Sequence, residues 1–130
     1  MNVRVALLLH ALPDGSSHVD LLVARDGRPL GDDERSVPTW RCSTRPDMAL
    51  DGSVLSLERI GDHRALYLRL DARRDLGGDR GWVAPLRSGT AELRADSLVI
   101  AWDDAGESWW SVREGDGGWQ LRVERNETVC

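Results

Sequence analysis

SGTAELRADSLVIAWDDAGESWWSVREGDGG, residues 88–118, is a series of short runs broken at near-regular intervals by turn-forming residues. The breaks are Ser88-Gly89, Ala95-Asp96, Asp103-Asp104-Ala105-Gly106 and Glu114-Gly115-Asp116-Gly117-Gly118. Between them, 90–94 alternates polar and apolar side chains, 97–102 is almost continuously apolar, and 108–113 carries Trp109 and Trp110 side by side. Period two, rather than 3.6, means strands. In a strand the two tryptophans face opposite ways, so one of them points outward.

The same pattern extends in both directions. Residues 118–125 read as a further strand, and so do 2–10, 18–25, 37–42, 53–60, 64–70 and 81–87. Pro13-Asp14-Gly15-Ser16-Ser17 joins the first two as a hairpin turn, and Asp26-Gly27 closes the second. Residues 44–52 form a loop, Asp71 to Leu76 has room for one helical turn, and Gly77-Gly78-Asp79-Arg80-Gly81 is a flexible loop. Neither a repeat nor a domain linker interrupts the series. The prediction is all-β: a compact single-domain β-barrel over residues 1–130, built from about eight to ten short, mostly antiparallel strands.

Composition sets the limits on function. With 41 % hydrophobic and 30 % charged residues the chain can bury a core, which excludes a disordered tail. No apolar run approaches the roughly 18 residues of a membrane span, so no membrane partner is expected. Val5–Leu9 is too short for a secretion signal, His10 interrupts it, and a cytoplasmic location is expected. On that basis the glycosylation pattern Asn126-Glu127-Thr128 carries no weight. A net charge of −5 excludes a sequence-blind nucleic-acid coat, though not a local basic site. All seventeen basic residues are arginine, each a planar fork suited to phosphate or carboxylate. Phenylalanine is absent and tryptophan occurs six times. Trp102, Trp109, Trp110 and Trp119 therefore read chiefly as core filling, with base stacking as the other option. Cys42 and Cys130 lack metal-ligand spacing, and Cys42 is expected to be buried and inert.

The second strand makes the first chemical statement. Val19, Leu21 and Val23 form an apolar face that should pack on the core, which puts His18, Asp20, Leu22 and Ala24 on the other. In a hairpin, His10 lies opposite or diagonal to His18 and Asp20. Two imidazoles and a carboxylate on one face make a site for Mn²⁺, Fe²⁺ or Zn²⁺ with coordination positions left open. The same spacing also describes a polar hairpin face in water.

Residues 10–22, with Asp26-Gly27 and Thr39-Trp40 after them, resemble the opening of the 3′-phosphoesterase domain of bacterial DNA ligase D. Asp62-His63-Arg64-Ala65-Leu66-Tyr67 resembles that family's Asp-His-Pro-x-x-Tyr segment. Gly81-Trp82-Val83 through Ser88-Gly89-Thr90 resembles a later strand and turn. Order and spacing agree over roughly residues 3–95, and the three histidines of the chain all fall on motif positions. The resemblance implies a β-barrel with its site in a surface crescent. It implies a divalent metal, usually manganese with zinc as the other option, held by His10, His18 and Asp20. It implies that His63 contacts the phosphate and that Tyr67 stands beside it in the catalytic pocket. The implied partner is a nucleic-acid 3′ end, trimmed of a terminal ribonucleoside and then of its 3′-phosphate, in the company of DNA-repair proteins.

The chain departs from the family at its phosphate-gripping arginines. Leu22 and Leu55 stand where the family has arginine, and Ala24 replaces an acidic residue. Arg41, Arg59 and Arg64 are the candidate replacements. Arg73, Arg74 and Arg80 are interleaved with Asp71, Asp75 and Asp79, which describes a solvated loop. Two functional readings follow: a metal-dependent 3′-phosphoesterase, or a catalytically degenerate barrel that binds a nucleic-acid end or a protein.

Overall fold

The structure, a computed structural model, describes residues 2–127. Thr128 of the glycosylation pattern and Cys130 lie outside the described residues. The strands are β1 (Asn2–Ala11), β2 (Ser17–Val23), β3 (Arg35–Cys42), β4 (Val54–Arg64), β5 (Arg74–Asp75), β6 (Trp82–Arg94), β7 (Ser97–Trp102), β8 (Glu107–Gly115) and β9 (Gly118–Asn126). Every pairing is antiparallel, in the order β1-β2-β3-β4-β9-β8-β7-β6, and β1 pairs with β6 to close the ring. The fold is thus an all-β barrel. Closure removes the exposed strand edges that an open sheet would leave. The two-residue β5 pairs with the start of β6. Among the described residues, helical structure is limited to 3₁₀ turns at Pro46–Met48, Ala65–Arg69 and Gly78–Arg80. Among the described residues no helix is long and apolar enough to cross a membrane.

Several expected boundaries shift. Ser88-Gly89 is not a turn: β6 runs through it. A Cβ on Gly89 would lie 2.6 Å from the Ala101 carbonyl oxygen, so glycine here serves close strand approach. Residues 53–60 and 64–70 are not two strands. β4 continues to Arg64, and Ala65–Arg69 is a 3₁₀ turn whose amides bond back to the 32–34 loop (Ala65 N–H to Glu34, Leu66 N–H to Asp32, each 3.0 Å). Asp71 to Leu76 holds no helical turn but includes β5. The breaks at Ala95-Asp96, Asp103–Gly106 and Asp116-Gly117 do separate strands.

Strand register assigns the faces. Val5, Leu7, Leu21, Val23, Trp40, Ile100, Trp102, Trp110, Leu121 and Val123 point into the barrel. Trp110 is fully buried while Trp109 is 43 % exposed, the expected division between inner and outer face. Two of the inward indoles have partners, Trp102 Nε1–H donating to Ser108 Oγ (2.9 Å) and Trp110 Nε1–H to Asn126 Oδ1 (2.8 Å), while Trp40 Nε1 is buried without one. A partnered ring contributes by apolar area and loses little to unmet polarity.

The outer face of β1–β3 is also covered. Leu8, Leu22, Val37 and Thr39 are fully buried there, and the 3₁₀ turn at Ala65–Arg69 packs on β1 and β3. β2 is consequently buried on both faces. Asp20 is 1 % exposed and His18 8 %, so this is not a polar face in open water.

Candidate metal centre

The hairpin turn fixes the first half of the site. Leu12 N–H donates to Ser16 O (2.9 Å), and the Asp14 carboxylate accepts the amide and hydroxyl of Ser16. This register sets His10 directly opposite His18, with Asp20 one step along the same face beside Leu8. His10 Nδ1 lies 3.0 Å from His18 Nε2, and His18 Nε2 lies 3.3 Å from Asp20 Oδ1. One ligand atom from each of the three residues falls within 4.8 Å of the others.

Neighbouring groups fix the protons. His10 Nε2–H donates to the Arg80 carbonyl (2.7 Å), which leaves Nδ1 with a lone pair aimed at His18. A ligating imidazole commonly donates its second nitrogen to a carbonyl in this way. Asp20 Oδ1 is buried without a hydrogen-bond partner, because the approach of His18 is not aligned as one. An orphaned buried carboxylate oxygen costs on the order of 1–3 kcal/mol or more. A cation shared with the two imidazole nitrogens removes that cost. His10, His18 and Asp20 therefore have the chemistry and spacing to hold a metal ion.

Burial pushes the His18 pKa below the ordinary imidazole value. Asp20 works against the shift, and the charge of Arg41 adds to it. His18 is thus neutral, the form that ligates, through the physiological range. In unfolding, His18 regains its ordinary pKa, so on acidification the unfolded chain takes the proton first. The contribution of His18 to stability is complete above the unfolded value, about pH 6.5, and is lost as pH falls through it toward the lower folded value. Chelator-treated protein is expected to melt at a lower temperature at pH 5 than at pH 7. His18→Gln should lack the His18 part of that slope, and parallel slopes in both proteins would refute this account.

Bulges build the second half. In β4 one extra residue between Ile60 and His63 sets His63, rather than Asp62, opposite Val37 on the outer face. A compensating extra residue in β3, at Ser36, then places Arg64 beside Arg35. His63 Nδ1–H donates to Gly61 O (3.1 Å), which directs Nε2 to within 3.6 Å of Asp20 Oδ2. Tyr67 reaches His63 from the 3₁₀ turn, not from a shared strand, with ring centroids 5.8 Å apart. His10, Asp20, His63, Arg64 and Tyr67 all line one crevice of about 320 Å³ on the outer wall of the barrel.

The candidate arginines separate. Arg64 lines the crevice, stacked over Tyr67 and 3.6 Å from the exposed Asp33 carboxylate. Arg41 stands beside Asp20 in register, and its Nε is buried without a partner. Arg59 does not reach the crevice. It pairs in register with Trp40, lies over that ring and bonds Asp62 at 2.8 Å. Arg59 holds Asp62 low in pKa, with Arg25 assisting.

Two further arginines in the crevice lay outside the motif reading, Arg35 and Arg80. Most arginines in this chain pair with carboxylates. Among the described residues, Arg35, Arg41, Arg74 and Arg80 do not. Three of those four border the metal centre. Arg35 belongs to no motif, and Arg80 was concealed by the aspartates interleaved around it in sequence.

Fold and site together define a closed antiparallel barrel with an imidazole–carboxylate group in an arginine-lined crevice on its outer wall. No protein-family model, curated protein or solved structure matches the chain.

Proposed function

We propose that this domain is a metal-dependent phosphoesterase acting on 3′-phosphate or 3′-ribonucleotide ends of nucleic acid, in a cytoplasmic DNA-repair setting. The observation that carries the reading is the orphaned Asp20 oxygen beside two imidazole nitrogens, in a crevice bordered by arginines that lack carboxylate partners. His10, His18 and Asp20 would hold the ion, and manganese suits their mixed nitrogen and oxygen donors, as zinc does. When bound, such an ion polarises a phosphoryl oxygen and lowers the pKa of water. Arg35, Arg64 and Arg80 bind the non-bridging phosphate oxygens through charge-assisted hydrogen bonds. His63, oriented by Gly61 O, presents Nε2 to the substrate as a hydrogen-bonding or proton-transferring group. Tyr67 packs at the His63 ring and limits its orientation.

The test is release of phosphate from a 3′-phosphorylated primer–template with Mn²⁺. Release that disappears in His18→Ala supports the reading. Arg35→Ala and Arg80→Ala are each expected to raise KM roughly ten- to a hundredfold with Mn²⁺ affinity unchanged. A KM left unmoved in both would remove them from the phosphate site.

One observation favours the second reading, a barrel that binds ends without cleaving them. Leu22 is fully buried and Leu55 faces Leu121 inside the barrel, so neither of the expected arginine positions offers a charge. Saturable binding of the same primer–template with no turnover would select it.

A further inference from the structure

The barrel has a second concavity, unconnected with the metal centre. Leu21, Val23, Trp40, Leu93, Leu98, Val112 and Trp119 all lie on the inward face by register. They come from six of the strands in the ring, β2, β3, β6, β7, β8 and β9, and they surround one cavity of about 690 Å³. It is the end of the barrel lumen, open beside the turns at Ala95-Asp96 and Glu114–Gly118. The other end is packed with Trp102, Trp110, Ile100 and Leu121. An eight-stranded barrel has room either to fill its interior with side chains or to hold one small molecule. This one fills one end and leaves the other lined by apolar groups.

We infer that the open end of the lumen is a binding site for one small, uncharged, apolar molecule, aromatic in preference to aliphatic. The volume falls in the range of small-molecule sites, which runs from about 300 to 1,000 Å³. Trp40 and Trp119 meet edge to face at 5.4 Å and form a wall suited to a ring. Both arginines that line the cavity are paired with carboxylates, Arg113 with Asp96 and Arg25 with Asp62 at 2.9 Å, while the lining Glu114 has no ion pair among the described residues. An anion finds no free counter-charge there, and the mostly apolar lining penalises burial of a charge of either sign, so the occupant is neutral. The inference is independent of the phosphoesterase reading, because no metal-centre residue lines the lumen.

The test uses the full chain and the neutral probe N-phenyl-1-naphthylamine. Saturable fluorescence enhancement is expected with one site per chain, unchanged by His18→Ala. Val112→Phe and Leu93→Phe place a larger side chain in the lumen, and each should weaken the probe by about tenfold or more. Energy transfer from tryptophan to probe should fall in Trp40→Phe and Trp119→Phe and hold in Trp109→Phe, whose ring is outside. This second readout decides the matter even if the lumen-filling variants do not fold. Absence of saturable enhancement, or transfer that falls equally in all three tryptophan variants, overturns the inference.

Discussion

Asp20→Asn is expected to abolish stabilisation by metal while leaving the metal-free protein as stable as before, or more so. Metal that binds only the folded state adds about 2.7 kcal/mol at a hundred times its Kd, a rise of roughly 10 °C in Tm for a domain of this size. Asp20 is the anionic ligand and its Oδ1 is buried without a partner. Asparagine preserves the shape and removes the charge. In the absence of metal that change takes away a desolvated charge and costs little. Thermal melts with chelator and with excess Mn²⁺ check both halves. An asparagine variant that gains as much from Mn²⁺ as the wild type contradicts the site. One that loses about 3 kcal/mol or more with chelator present makes Asp20 a structural anchor instead.

Gly81→Ala is the second large effect. Gly81 has φ of +73° and ψ of −139°, a backbone region that other residues avoid. A Cβ there would lie 1.9 Å from the Ala11 carbonyl oxygen, which is backbone of β1 and cannot turn aside. The 77–81 loop must lift away, at a cost on the order of 2–4 kcal/mol. The Arg80 carbonyl moves with it, and His10 loses the acceptor that holds Nε2 protonated. Metal affinity is expected to fall about ten- to a hundredfold, the range for loss of a partner behind a ligating histidine. Gly31→Ala is the control: no atom lies within 4 Å of its Cβ position, and it should stay within about 0.5 kcal/mol of wild type. Equal affinities in the two variants would separate the loop from the metal centre.

The sequence reached the hairpin and its consequences because those are local. Turn chemistry at Pro13–Ser17 and period-two alternation fix which side chains share a face. The shared face of His10, His18 and Asp20 follows from that, though not its burial, and so does the split between Trp109 and Trp110. Long-range features were less legible. The bulges in β3 and β4 have no signature in composition, yet they aim His63 and pair Arg35 with Arg64. Ser88-Gly89 has the chemistry of a turn, but its glycine serves the approach of β7. The 3₁₀ turn that packs on β1 and β3, on either side of β2, comes more than forty residues later, at Ala65–Arg69. Arg59 stands next to a motif and four residues before His63, which by plain alternation would share its face, but the extra residue in β4 leaves Arg59 on the other side of the sheet. Ion pairing separated the available arginines from the engaged ones, and pairing across a barrel is not a property of neighbours in sequence.

The chemistry proposed for the crevice requires a cation to seat between the two strands of the first hairpin. Calorimetric titration of chelator-stripped protein with Mn²⁺, and then with Zn²⁺, beside His18→Ala measures this directly. The wild type should take up one equivalent saturably, and the variant should show no saturable uptake. Wild-type heats no larger than dilution, or identical isotherms for the two proteins, would mean that the three side chains form no metal centre.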